Sequence, residues 1–310
     1  MTSSSQPRNY FMGGVLIALL GAICFSTKAI FVKLAYRDTI VDAISLLALR
    51  MVFSLPFFVV SAYASSSKQT NVKFTPRQWV SVAVIGCLGY YISSLLDFLG
   101  LQYVTAGIER LILFIYPTLV MLMSSLIFKE RIKPIQWVAL VITYVGLLIA
   151  FIGEVDVQSA HSSNFILGSV LIFICAFTYA AYIVGSGRLI PLVGAAKFNS
   201  YAMSFASIGV LLHFFMNSDI SLLSFPPLVY VYSILMAIVS TVVPSYMVVE
   251  GIKRIGSDNT AIVGSIGPVS TLVLAYFFLQ ETISPFQIVG TLMILFGVLL
   301  VSGQKRKELI

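Results

Sequence analysis

Ten predominantly apolar runs, each about the length of a membrane-spanning helix, follow one another along this chain with short polar breaks between them. They cover 12–35, 43–63, 78–101, 105–128, 134–153, 164–187, 196–216, 226–249, 256–279 and 285–303. A helix rises about 1.5 Å per residue, so roughly 20 apolar residues cross the hydrocarbon core of a bilayer. Composition points to the same solvent: of 310 residues 59% are hydrophobic and only 10% charged. A soluble domain needs roughly a quarter charged residues to cover its surface. The expectation is an all-α integral membrane protein of ten transmembrane helices. The breaks carry the turn and helix-stopping residues Asp38, Pro76, Pro134, Gly153, Pro191, Asp219 and Pro285.

Several function classes are disfavoured at once. The net charge of +7 sits in short loops, so it is not a nucleic-acid footprint. Cys24, Cys87 and Cys175 fall inside apolar runs, where they read as small core residues and not as a disulfide framework or zinc site. The first run is too long for a signal-peptide core, and the large Ile23 before Cys24 spoils a lipoprotein site. No phosphate loop of the Gly-x4-Gly-Lys-Ser/Thr kind is present, so no ATP and no cofactor are expected. His161 and His213 are the only histidines, and no nucleophile–base pair has useful spacing, which argues against an enzyme.

Lysine and arginine fix an expected orientation. One set of loops and ends holds fourteen: Arg8, Lys68, Lys73, Arg77, Lys129, Arg131, Lys133, Arg188, Lys197, Lys253, Arg254, Lys305, Arg306 and Lys307. The opposite set holds essentially Arg37, beside Asp38, Asp42, Glu154, Asp156 and Asp219. Both short tails, 1–11 and 304–310, are therefore expected in the cytoplasm, with the plasma membrane (the inner membrane of a bacterium) as the location.

The chain also repeats itself. Shifting it by 151 residues matches Gly100 to Gly251, Ile115 to Ile266, Pro117 to Pro268, Glu130 to Glu281, Pro134 to Pro285, Gln136 to Gln287 and Gly146 to Gly297. Near the start of each half the offset is 152, pairing Phe25 with Phe177 and Ala29 with Ala181. Two five-helix repeats, 12–153 and 164–303, follow. Five is odd, so the second enters the membrane upside down relative to the first. Inverted repeats supply secondary transporters with two near-equivalent conformations open to opposite sides.

These residues carry a family resemblance. Lys129-Glu130-Arg131-Ile132 with Gln136 and Gly146, echoed by Gln280-Glu281-Thr282-Ile283 with Gln287 and Gly297, resembles the drug/metabolite transporter superfamily of the EamA type. The resemblance spans essentially the whole chain. It implies a central cavity lined by helices 1–4 and 6–9, with helices 5 and 10 at the periphery. It leaves the substrate open, because members move amino acids, sugars, nucleotide sugars and drugs.

Ionisable groups inside spans mark a pathway or pair with one another. Counted from the outer ends of their spans, Lys28 and Arg50 lie about 10 Å deep, Arg110 about 8 Å and Asp97 about 6 Å, with Glu109 nearer the surface. The equivalent positions in the second half are Ala180, Ala202, Val248 and Ala261. The charged layer thus breaks the symmetry that the scaffold keeps. Arg50 has two readings, a site residue or a structural partner of Asp97 or of helix-end carbonyls. Asp97 likewise reads as a site residue or as Arg50's counter-ion. Lys33 snorkels towards the outer boundary. Of Glu109 and Arg110, neighbours on different faces of one helix, Arg110 is expected to face the cavity.

Tyr90, Ser94 and Asp97 form a polar stripe on helix 3, and Tyr179 and Tyr182 another on helix 6, alternatively explained as helix-packing groups. The expected substrate site is therefore Lys28, Arg50, Tyr90, Ser94, Asp97, Arg110, Tyr179 and Tyr182. Pro117, Pro244 and Pro268 are expected to kink or hinge their helices. The resulting expectation is a secondary transporter for a small polar solute, amino-acid-like or an organic anion. Its other partners would be the lipid bilayer and a proton or counter-solute, with the chain a monomer or homodimer and no nucleic acid involved. A lipid or lipid-linked-sugar flippase of the same fold is the alternative.

Overall fold

The structure is a computed structural model that describes residues 8–67, 73–104, 106–129, 132–150, 163–217, 221–279 and 285–302. Among these residues every regular element is helical: α1 (Arg8–Asp38), α2 (Ala43–Ser66), α3 (Pro76–Gly100), α4 (Ala106–Leu113), α5 (Tyr116–Phe128), α6 (Pro134–Ala150), α7 (Ser163–Val193), α8 (Ala195–Asn217), α9 (Pro227–Ile255), α10 (Ser257–Val263), α11 (Ile266–Leu279) and α12 (Pro285–Ser302). Seven continuous stretches are long and apolar enough to cross a membrane, namely α1, α2, α3, α7, α8, α9 and α10 with α11. Shorter apolar helices fall within the fourth, fifth and tenth predicted segments. Glu130, Arg131, the Gln280–Ile283 motif, the loop charges Lys68, Glu154, Asp156 and Asp219, His161, and the outermost residues of both tails lie outside the described residues.

Local chemistry explains where the helices start and stop. Asp42 caps α2, its carboxylate accepting from the Ile44 and Ser45 amides at 3.0 and 2.9 Å. Thr75 and Gln78 form a reciprocal capping box ahead of α3, with Pro76 in the first turn. Gly194 and Gly256 separate α7 from α8 and α9 from α10 with φ of 86° and 83°, a left-handed backbone that favours glycine. Helix α1 begins at Arg8, inside the segment read as a tail, because Phe11 is buried and the Arg254 guanidinium lies over the Tyr10 ring.

The helices pack in pairs that obey the repeat. α1 packs on α9 as its counterpart α7 packs on α3, and α1 packs on α11 as α7 packs on α5. The self-matching pairs are α2 with α8 and α6 with α12. Directions follow from end contacts. Lys33 and Tyr36, late in α1, donate to carbonyls of Leu101 and Phe98 at the end of α3. The end of α3 meets the start of α7, where Gly100 lies against Gly168 and Ile172. The end of α1 therefore shares a face with the start of α7, so the two counterparts run in opposite directions and the repeats are inverted. Large apolar side chains such as Val60, Leu126, Leu148 and Phe215 are exposed all round the bundle, as a lipid-facing surface requires.

Candidate functional site

Two helices carry a turn wound one residue too wide, and these turns set the site. In α3 the π turn is Cys87–Ile92, and in α9 it is Ile238–Val242. Such turns leave backbone groups off the regular ladder and are common at functional positions. In α9 the hydroxyls of Ser240 and Thr241 both donate to the Met236 carbonyl, at 3.0 and 2.8 Å, and Pro244 follows at the start of the next regular turn. In α3 the π turn presses Gly89 against the Tyr182 ring of α7, where any Cβ would collide with it. The spans that contain α4/α5 and α10/α11 are each broken near the middle, just before Tyr116-Pro117 and Ile266-Gly267-Pro268. Pro117, Pro244 and Pro268 therefore all stand at irregular points of their helices.

Between these interruptions lies a cavity of about 90 Å³, lined from α1, α2, α3, α4, α5, α7, α9, α10 and α11. That volume holds a few waters or a small metabolite. None of the lining comes from α6 or α12, the fifth and tenth segments, nor from α8, the seventh. One wall is cationic: Lys28, Arg50 and Arg110 all reach it. The lining also includes the small or apolar residues Val248, Ala261, Gly264 and Gly267 together with Ala18 and Ala22. Tyr90, Tyr116 and Tyr179 complete the lining, with Tyr116 and Tyr179 edge to face at 5.3 Å.

Arg50 is 2% exposed. Its Nη2 donates to Ser94 Oγ at 3.1 Å and its guanidinium lies 5.2 Å from the Phe98 ring centroid, while Nε and Nη1 are buried without a hydrogen-bond acceptor. Lys28 Nζ stands 2.6 Å from Asp97 Oδ2, and Arg110 Nε stands 3.1 Å from Glu109 Oε2. Neither acid lines the cavity. The cations thus form the front rank and the carboxylates stand behind them.

Of the residues named from sequence, Lys28, Arg50, Tyr90, Ser94, Arg110 and Tyr179 line this one cavity. Asp97 sits behind Lys28, and Tyr182 sits behind Tyr90, their rings 4.9 Å apart. Of the two readings of Arg50, the one that pairs it with Asp97 is not the close contact found, which is Lys28–Asp97. Glu109 is fully buried within the protein, where Val104 and Ile108 cluster with Ile172 and Phe165 of α7 at that end of α4. Sequence reasoning did not single out Tyr116, whose hydroxyl donates to the Ala261 carbonyl at 3.0 Å and joins the two repeats. Its place beside Pro117 was the available signal. Ala18, Ala22, Gly264 and Gly267 gave none, being small residues among many. A second, polar recess adjoins this seam, lined by Lys133, Gln136, Arg188, Asp258 and Asn259 among others. Among the described residues no group of three or more His, Cys, Asp or Glu side chains is placed to hold a metal ion.

A multi-pass helical membrane protein built of two inverted repeats, with a charged cavity at their seam, has the architecture of a membrane transporter. The chain belongs to the EamA-like transporter family, whose pattern matches residues 12–152 and 166–303. It is similar to the uncharacterized transporter YcbK of Bacillus subtilis, at 28% identity over 89% of this chain and 88% of that protein. YyaM of the same organism, also an uncharacterized transporter, is 24% identical over 79% of each chain. A solved crystal structure shares the fold, with a TM-score of 0.73 at 17% identity over 93% of this chain and 98% of its own.

Proposed function

We propose that this transporter moves a small organic anion, an organic acid or an amino acid held by its carboxylate, by alternating access between its two inverted repeats. The observation that carries this reading is the buried guanidinium of Arg50, which presents two unpartnered N–H groups beside a cavity that Lys28 and Arg110 also line. A buried guanidinium with only one of its three nitrogens hydrogen-bonded is unfavourable, and an anion in the cavity would relieve it. The count of charges agrees: three cations against the two acids Asp97 and Glu109 leave one positive charge in excess. The small apolar residues of the lining suit a carbon skeleton better than an inorganic ion. The chain has no nucleotide-binding loop, so movement would draw on a gradient or on exchange. The lysine- and arginine-rich ends favour a plasma-membrane orientation with both termini in the cytoplasm.

Arg50→Gln gives the cleanest test, because the close ion pairs of Asp97 and Glu109 are made by Lys28 and Arg110. In proteoliposomes the variant is expected to lose uptake of the organic anions that the wild type carries by about tenfold or more, the worth of a charged hydrogen bond. Its yield and melting temperature in detergent should match the wild type. Uptake at the wild-type rate by a well-folded Arg50→Gln protein would overturn the assignment. Preference for phospholipid headgroups over free organic anions would instead favour the flippase.

A further inference from the structure

The polar recess beside the cavity is the larger space, about 320 Å³ against about 90 Å³. Three helices lead from one to the other. In α5, Tyr116 lines the cavity and Phe128 the recess. In α7, Tyr179 and Ile183 line the cavity, and Val184 and Arg188 line the recess. In α10, Thr260 and Ala261 line the cavity, and Asp258 and Asn259 line the recess. Lys133, Arg188 and Gly256 of the recess are exposed. The recess therefore opens at the end of the bundle that holds the α9–α10 turn, and it stops short of the cavity.

What divides the two spaces is the seam of α5, from the first repeat, with α10, from the second. Two side chains of α5 bond across it. The Tyr116 hydroxyl donates to the Ala261 carbonyl at 3.0 Å, and Ser124 Oγ donates to Asp258 Oδ1 at 2.9 Å. Between them Val120 is fully buried in one apolar cluster with Ala261 of α10 and with Ile183 and Val184 of α7. The Tyr116 hydroxyl occupies the place where a Cβ on Gly264 would stand, so glycine alone admits it there. The counterpart seam, α11 on α4, cannot make these links. At the offset of 151, Gly267 stands for Tyr116, Ala275 for Ser124 and Gly107 for Asp258. Inverted repeats supply one such seam for each side of the membrane, and side chains latch only this one.

We infer that the recess is a mouth of the transport path and that the α5–α10 seam is its gate, closed in this structure by Tyr116 and Ser124. Opening parts the repeats along the seam, breaks two hydrogen bonds and uncovers the Val120–Ala261 contact. Each bond is worth little on balance, so the gate holds without being sealed. The counterpart gate lacks the latch, so the resting protein favours the state closed at the recess. The inference rests on alternating access and not on the charge of the solute. Failure of the Arg50→Gln test leaves the gate standing, and a seam that never opens leaves the anion site standing.

The test needs no substrate. Membranes carrying the full chain are treated with 2-sulfonatoethyl methanethiosulfonate, a small thiol reagent that does not cross lipid. Spheroplasts and inside-out vesicles present opposite ends, and Lys133→Cys marks the preparation that presents the recess. The reporters are native Cys175 and an Ala22→Cys substitution, both on the cavity, read by peptide mass spectrometry. Tyr116→Phe is expected to quicken their labelling from the recess end by about three- to tenfold, the worth of one hydrogen bond, without raising it from the opposite end. Labelling unchanged from the recess end, or raised equally from both ends as in a merely loosened bundle, would overturn the gate. Should Tyr116→Phe fold poorly, Ser124→Ala removes the other link and is read the same way. Ser124→Cys with Asp258→Cys tests the closed state. Oxidation to a disulfide is expected to stop labelling from the recess end, and reduction to restore it. A pair that fails to cross-link, or labelling that proceeds past the disulfide, would sink the inference.

Discussion

Lys28 sits in the middle of α1 with its ammonium 2.6 Å from the Asp97 carboxylate, and both side chains are largely withdrawn from solvent. The energy of such a pair shows itself when one partner is removed, because the other is left as a buried charge. Lys28→Met is therefore expected to lower stability by about 3–5 kcal/mol, and adding Asp97→Asn to it should recover most of that loss. Melting of the detergent-solubilised single and double variants checks this, and identical melting temperatures would mean that Asp97 carries no stranded charge. The test also bears on how the site was read. Counting residues along each span put Lys28, Arg50 and Arg110 in one layer from helical rise alone, and the three line one cavity. That count is silent on the burial of Glu109, which comes from α7 packing at the end of α4, because rise along one helix says nothing of what lies across it. It also could not choose between Lys28 and Arg50 as the partner of Asp97. That choice depends on how α1 and α2 are rotated about their axes, which spacing within one helix does not report.

The repeat shows more in the helices than in the side chains. Residue matching at the offset of 151 begins near Gly100, yet the π turns begin at Cys87 and Ile238, residues that stand at the same offset. Their sequences share little: Gly89 and Tyr90 in one, Ser240 and Thr241 in the other. The wide turn is kept by different means, a close approach of Gly89 to Tyr182 in α3 and hydroxyl bonds to the Met236 carbonyl in α9. Backbone geometry of this kind leaves no residue signature at matched positions, so the sequence revealed the repeat only where glycines and prolines were shared. Where they are shared, packing explains them. Gly146 and Gly297 are counterparts in α6 and α12, and each lies against the other helix, Gly146 on Met293 and the Gly290 carbonyl, Gly297 on Thr143 and the Ala139 carbonyl. Small residues let helices approach closely in lipid. Gly297→Leu should force that contact apart and lower stability by about 1–3 kcal/mol. Transport per folded molecule should persist, because neither α6 nor α12 lines the cavity. Loss of transport at full stability would show that this outer pair shapes the cavity from a distance.

The bundle as a whole has two distinguishable ends, and the contacts between remote segments agree on which segments share an end. Arg254, at the end of α9, lies over Tyr10 at the start of α1, while Asp38 at the end of α1 accepts a hydrogen bond of 2.6 Å from Tyr232 near the start of α9. The chain start and the α9–α10 turn therefore lie together, and the α1–α2 turn lies opposite. Arg188, Lys197, Lys253 and Arg254 belong to segments assigned to the first end, whereas the second carries Asp38 and Asp42 beside Arg37. Basic residues in short loops are retained on the cytoplasmic side during insertion, so the first end is expected to face the cytoplasm. If the ten predicted spans all cross, the C-terminus returns to that same side. Reporter fusions in a bacterial host decide the matter. Green fluorescent protein joined after Ile310 should fluoresce, and alkaline phosphatase at the same place should be inactive, whereas phosphatase inserted after Thr39 should be active. An active phosphatase at Ile310 would require either an odd number of crossings or the reverse orientation, and the Thr39 fusion tells these apart, since only reversal silences it. Lys28 lies past the middle of α1, towards Asp38, so with the first end inside, the cationic wall stands nearer the external medium and its more acidic water.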